Sequence, residues 1–208
     1  MLRLPKMNNL SPTLDSTILK AVEESGELAR AVLGFYDESQ ADCRTDCLKE
    51  IVAELLDVAQ TCVTMLFVLE DFYEIDINQM VRRHLDKLIK KNYSFALDFE
   101  YQVATDGEYK FLYLPRLNIN ADIMQTMCKI QEELGELTQY IGKHGGASGE
   151  KNKLKHRAII DGAATELCDV AQCCFTMLYI LEENHGVDII AAQKIHVEKL
   201  IKKGYMTK

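Results

Sequence analysis

The chain has 208 residues, 48% of them hydrophobic, which is enough to bury one sizeable core or two small ones without disulfide staples. Its net charge of −8, with an isoelectric point near 5.2, argues against a nucleic-acid partner, which would need clustered Lys and Arg. No uninterrupted apolar run reaches 18 residues, and Met1 to Leu10 carries Arg3 and Lys6 without a signal-peptide core, so a cytoplasmic protein with no membrane partner is expected.

In chain order, Ser11-Pro12 predicts the N-cap and first residue of a helix. Its apolar stripe is Leu14, Ile18, Leu19, Val22, Leu28 and Val32, and its end lies near Gly34. A longer helix is expected over 42–73, where residues from Leu48 through Ile51, Leu55, Val58 and Cys62 to Leu69 form a wide apolar face. Asp76 in "EIDIN" is placed as the N-cap of a third helix. The segment "SFALDFEYQVATDGEYKF" that follows is rich in β-favouring residues around a D-G turn, which predicts a short hairpin.

The same pattern then begins again. "LRLPKMN" at 2–8 returns as "LYLPRLN" at 112–118, "DVAQTCVTMLFVLE" at 57–70 as "DVAQCCFTMLYILE" at 169–182, and "HLDKLIKKNY" at 84–93 as "HVEKLIKKGY" at 196–205. The spacing is 110 for the first block and 112 for the other two, so the copies differ by short length changes only. These matches predict a tandem duplication: repeat 1 over 1–93, a connecting segment over 94–111, and repeat 2 over 112–208. A unit of about 90 residues is marginal alone, so the two are expected to pair as an all-α bundle with approximate two-fold symmetry.

Two acid pairs recur within this frame. Glu24 and Glu27 are three apart on the first helix and share a face, as do Glu54 and Asp57 on the second. Copy two repeats them as Glu133, Glu136, Glu166 and Asp169. All interrupt apolar stripes, which points them inward or toward a cleft. At about 6 Å each like-charge pair costs roughly 2–3 kcal/mol at an effective dielectric near 20. Six such pairs rival the net stability of a domain, so the cluster calls for a divalent cation or raised pKa values. All-oxygen ligation suits Mg²⁺ or Mn²⁺ better than zinc or copper. One E-x-x-E pair is ordinary on a solvated helix face; two pairs kept in register in both copies are not.

"EExGEL" followed about thirty positions later by "ExxDV" resembles the MazG-type all-α nucleoside triphosphate pyrophosphohydrolases, over about 75 residues of each copy. The resemblance implies Mg²⁺-dependent hydrolysis of a nucleoside triphosphate to monophosphate and pyrophosphate. It also implies metal ligation by Glu24, Glu27, Glu54 and Asp57, and by Glu133, Glu136, Glu166 and Asp169. Glu23 and Glu132 match the first acid of the family's doublet and, with Glu24 and Glu133, are the candidate catalytic acids.

The residues fit such chemistry in their own right. A metal neutralises phosphate charge and activates water, and a carboxylate accepts the proton. There is no P-loop, and no Ser or Cys with a paired His is evident. Candidate phosphate-binding groups are His84, Lys87 and Lys91 on one face of the third helix, repeated as His196, Lys199 and Lys203. Lys20 and Lys129 are candidates too, although each is spaced for an i,i+4 ion pair with the Glu that follows. Asn92 becomes Gly204 in copy two, a departure that bears on the second site. Phe35, Tyr36, Tyr140 and Tyr179 are candidates for base stacking, and the Gly-rich stretch 143–156 reads as a connection, with a cover over the nucleotide as the alternative. The seven cysteines, an odd count without C-x-x-C spacing at Cys43/Cys47 or Cys173/Cys174, read as reduced thiols. The expected partner is a nucleoside triphosphate, with a homodimer as a further assembly. The rival classes are an inactive nucleotide-binding or regulatory protein and a metal-stabilised structural bundle.

Overall fold

The computed structural model describes residues 2–37, 43–146 and 156–207, without the side chains of 144, 145 and 156. Its elements run β1 (Arg3–Pro5), α1 (Leu14–Tyr36), α2 (Arg44–Tyr73), α3 (Ile77–Lys90), β2 (Val103–Asp106), β3 (Tyr109–Tyr113), α4 (Ile123–Gly145), α5 (His156–His185) and α6 (Ile189–Lys202). The helices come in two runs of equal lengths, 23, 30 and 14 residues each.

The first helix starts two residues later than Ser11-Pro12 predicts, because Thr13 closes a capping box. Its hydroxyl accepts from the Ser16 N–H at 3.1 Å, and the Ser16 hydroxyl accepts from the Thr13 N–H at 3.0 Å. Asp122 and Gln125 make the same box at the start of α4. The expected stripe on α1 also needs correction. Leu19 and Val22 are 72% and 49% exposed, while the small residues Thr17, Ala21 and Ser25 join Leu14, Leu28 and Val32 on the buried face. Small side chains there let α1 lie close along α2.

Asp76 caps α3 as expected, accepting from the Gln79 N–H, and Asp188 caps α6 in the same way, accepting from the Ala191 N–H. Asn92 and Gly204 both close their helices with positive φ, 62° and 75°. That exchange therefore swaps one left-handed residue for another at a helix end.

α2 and α5 pack against each other through the middle of the molecule, and α1 and α4 cover them. Both central helices are long and apolar enough to cross a membrane by length and composition, which a search for uninterrupted apolar runs misses. Both are mostly buried inside the bundle, with Val58, Ala59, Cys62, Val170, Ala171 and Cys174 fully enclosed. All seven cysteines are free thiols.

The hairpin forms as predicted, β2 against β3 around Gly107, but a third strand joins it. β1 pairs antiparallel with β3 in the order β1-β3-β2, with Arg3 opposite Tyr113, the residue 110 positions on. The helical bundle therefore carries a small sheet at one end. Two buried glutamines tie this end to the core: Gln60 Nε2 donates to Pro5 O and Gln172 Nε2 to Pro115 O, each at 2.9 Å.

The third helices cross over. α3 packs chiefly on α5 and α6 chiefly on α2, so each third helix leans on the long helix of the other half. Elsewhere the halves differ by compensating changes. Tyr140 of α4 lies flat on Gly162 of α5, where an added Cβ would fall inside the ring's van der Waals surface. Gly162→Ala is expected to destabilise by about 1 kcal/mol in urea unfolding, since overpacking outweighs the helix propensity gained. Adding Tyr140→Ala should turn that loss into a gain relative to Tyr140→Ala alone.

Candidate active site

α1 and α2 bring Glu24, Glu54 and Asp57 together, with one carboxylate oxygen of each within 4.8 Å of the others. α4 and α5 do the same with Glu133, Glu166 and Asp169. Glu24, Glu133, Glu166 and Asp169 are buried, and Glu54 and Asp57 half-buried. Glu27 and Glu136 stand outside these tight triads, half-buried and exposed respectively, although each adds like charge to its neighbours. Glu23 and Glu132 are on the solvent side, bonded to Lys20 at 3.0 Å and to Lys129 at 2.9 Å. They are turned away from the triads that the sequence grouped them with.

Electrostatics match the crowding. Burial first, then Asp57, Glu27 and Glu24, lifts Glu54 above the usual carboxylate range. Burial also raises Glu24 against the opposing bond from Lys20. Glu166 is pushed up to about 7 by burial and by Asp169. Asp169 goes the other way: burial alone would raise it, but bonds from His84 and Lys87 hold it below the ordinary value. Glu54 Oε2 and Glu166 Oε2 are buried with no hydrogen-bond partner among the described residues. Orphaned carboxylate oxygens within all-oxygen triads fit a hard divalent cation, which would satisfy them and offset the repulsion.

The cations come from the opposite half. His84 Nδ1 lies 2.9 Å from Asp169 Oδ1 and Lys87 bonds the other oxygen, so α3 serves the second triad. His196 Nδ1 lies 3.4 Å from Asp57 Oδ1 and Lys199 bonds Asp57 Oδ2, so α6 serves the first. Lys20 and Lys129 pair with Glu24 at 2.6 Å and Glu133 at 2.5 Å, as their i,i+4 spacing predicts. Lys91 and Lys203 are exposed and line the cavities beside the triads.

Two acids of each triad line a cavity, Glu24 and Asp57 one of about 340 Å³ and Glu133 and Asp169 one of about 190 Å³. Gln60, Thr61, Thr64 and Tyr205 line the first; Gln172, Cys173, Thr176 and Tyr93 line the second. Burial pushes the Cys173 thiol up to about 12, which removes it as a nucleophile. The expected stacking residues are elsewhere. Phe35 and Tyr36 contact each other at the end of α1, Tyr140 covers Gly162, and the Tyr179 hydroxyl accepts from the Leu2 N–H. The glutamines and the terminal tyrosines were the missed residues, and both belong to the recurring segments "DVAQ" and "KKNY/KKGY". Of the Gly-rich stretch 143–156, residues 147–155 lie outside the described residues.

Residues 12–94 match the model of the MazG nucleotide pyrophosphohydrolase domain, which supports placing that segment in the family. The segment holds Glu24, Glu27, Glu54 and Asp57. No curated protein and no solved structure matches the chain.

Proposed function

We propose that the chain is a duplicated, Mg²⁺-dependent nucleoside triphosphate pyrophosphohydrolase, with Mn²⁺ as a substitute ion, whose working centre is the triad Glu24, Glu54 and Asp57. The observation that carries this is Glu54 Oε2, a buried and unpartnered carboxylate oxygen between two further acids, inside the segment that matches the pyrophosphohydrolase domain. Internal duplication is supported by the matched helix lengths and by the reciprocal contacts of α3 and α6.

Glu24, Glu54 and Asp57 would hold the cation, which supplies charge neutralisation at the phosphates and acidifies water. Lys20, Lys199 and Lys203, grouped on the first cavity, bind the triphosphate oxygens. Lys199 must divide its charge between Asp57 and phosphate, so substrate binding loosens the contact from α6. Water attacks the α-phosphorus, the bond to the bridging oxygen breaks, and pyrophosphate leaves with the monophosphate as second product. One of the acids at the centre accepts the water's proton. The second triad favours a binding or structural role, because its cavity is the smaller and His84 holds Asp169 at 2.9 Å where His196 stands 3.4 Å from Asp57. Pyrophosphate release over the common nucleotides, with Mg²⁺ and with chelator, tests the assignment. Release that persists in chelator, or no release from any nucleotide, rules it out.

A further inference from the structure

The outer face of α1 carries an apolar stripe that nothing among the described residues covers. Leu19, Val22, Gly26, Ala29, Leu33 and Tyr36 follow one another at spacings of 3, 4, 3, 4 and 3, the a/d repeat of a helix that packs against another helix. Leu33 and Tyr36 are 64% and 46% exposed, and Leu19 and Val22 stand in water with them. The stripe runs for about 26 Å along the helix, and contiguous apolar surface on that scale marks an interaction site rather than scattered leucines. The matching helix of the second half lacks it. At the positions 109 further on, α4 has Cys128, Gln131, Gly135, Thr138 and Gly142, so the glycine recurs and the large apolar pairs on either side of it do not. Both helices contribute a triad acid, so positioning that acid does not require the stripe.

The order of sizes along the stripe is the same read from either end: two large residues, two small, two large. Laid against a second α1 in the antiparallel sense, Leu19 meets Tyr36, Val22 meets Leu33, and Gly26 meets Ala29. The missing Cβ of Gly26 faces open space, which leaves room for two backbones to approach at the crossing. A two-fold interface demands such a self-match, since each contact is made twice with the roles exchanged. Charge agrees with size. Glu23 and Arg30, both exposed, hold the e positions beside the stripe, and e positions face each other across an antiparallel pair. Each Glu23 then meets Arg30 of the other copy, and opposite charges flank the contact on both sides of the axis. In a parallel pair Glu23 and Arg30 would face Ile18 and Ser25, which carry no charge.

We infer that α1 is the docking surface for a second copy of this chain, through an antiparallel α1 to α1 contact about a two-fold axis between Gly26 and Ala29. Glu23 exchanges its bond to Lys20 for one to Arg30 of the second copy, which leaves Lys20, on the wall of the first cavity, to Glu24. One helix pair buries little area, so the association is of micromolar strength.

Sedimentation velocity of the full chain tests this, under reducing conditions so that the free, exposed Cys43 and Cys128 do not join chains. The native chain should pass from monomer to dimer over the micromolar range. Leu33→Glu sets a charge into the apolar contact twice per dimer and should raise the dissociation constant about a hundredfold. Phe72→Glu, at a comparably exposed apolar residue of α2, should leave it unchanged. Arg30→Glu should raise it about tenfold, and Arg30→Glu combined with Glu23→Arg should restore it, because the exchanged charges meet again across the pair. All these side chains are exposed, and a circular dichroism spectrum matching the native one separates loss of the dimer from loss of the fold. A chain still monomeric at about 0.2 mM, a dimer that survives Leu33→Glu or is lost to Phe72→Glu, or a double exchange as weak as Arg30→Glu alone would overturn the inference.

Discussion

Replacing Glu54 by Gln lowers pyrophosphate release by about 10²–10³-fold, the loss typical when a charged group at a reacting centre is neutralised. The same substitution raises the melting temperature of the cation-free protein. Both effects come from one atom. Gln keeps the length and shape of Glu, but replaces an unpartnered oxygen among like charges with either a neutral carbonyl or an NH₂ that can donate to Glu24 or Asp57. The relief of repulsion should stabilise by about 1–2 kcal/mol. A merely structural role for Glu54 would give the opposite pairing, with activity and stability falling together. Glu166→Gln, in the half whose cavity is smaller and whose aspartate is covered, should keep more than half of the activity. Equal losses from the two substitutions would show that both halves turn over substrate and would remove the distinction between them. Initial rates with saturating Mg²⁺ and scanning calorimetry in chelator supply the two readings.

The acids were legible because the recurring sequence blocks act as an internal control: matching positions in the two stretches carry the same four carboxylates, and the structure gathers three of each four. Helix lengths were legible because α2 and α5 keep a wide apolar face for many turns. Three features were not legible. β1 is three residues long, too short for any periodicity, and its role is visible only once β3 lies beside it. The stripe on α1 was misplaced because Thr17, Ala21 and Ser25 carry little apolar weight, whereas contact distance between helices rewards small side chains. The crossover of α3 and α6 leaves no mark in the pattern at all, since both halves present the same apolar faces and either third helix could dock on either acid pair. What settles the choice is geometry: Lys87 and His84 reach Asp169, and Lys199 and His196 reach Asp57. Each third helix thus sets its cationic face against the acids of the other half.

Removing divalent cations makes stability fall as pH rises from about 4.5 to 7, and Glu166 supplies a large share of that fall. An unfolded glutamate releases its proton near the ordinary value of 4.5, whereas Glu166 in the folded chain keeps it to about 7. Between those values the folded state binds more protons than the unfolded state, so each unit of rising pH removes stability. The raised value therefore helps folding below pH 4.5 and hinders it above 7. At about 1.4 kcal/mol per pH unit, Glu166 accounts for about 2–3 kcal/mol after allowance for screening. His196 opposes this trend: burial draws it down to about 4, so its contribution to stability grows as pH rises from 4 toward 6.5. The total slope is consequently a poor guide, and the difference between the native chain and Glu166→Gln isolates the glutamate, because His196 is common to both. In chelator the native chain should lose about 2–3 kcal/mol relative to Glu166→Gln across this window, measured by urea unfolding at half-unit steps. Mg²⁺ should then recover most of the loss at pH 7.5 in the native chain and less in the variant, because the cation binds the deprotonated carboxylate and holds the folded state by mass action. A flat difference across the window, or equal Mg²⁺ gains in both proteins, would mean that Glu166 is solvated and holds no ion, and the repeated acids of the second half would then be ordinary surface charge.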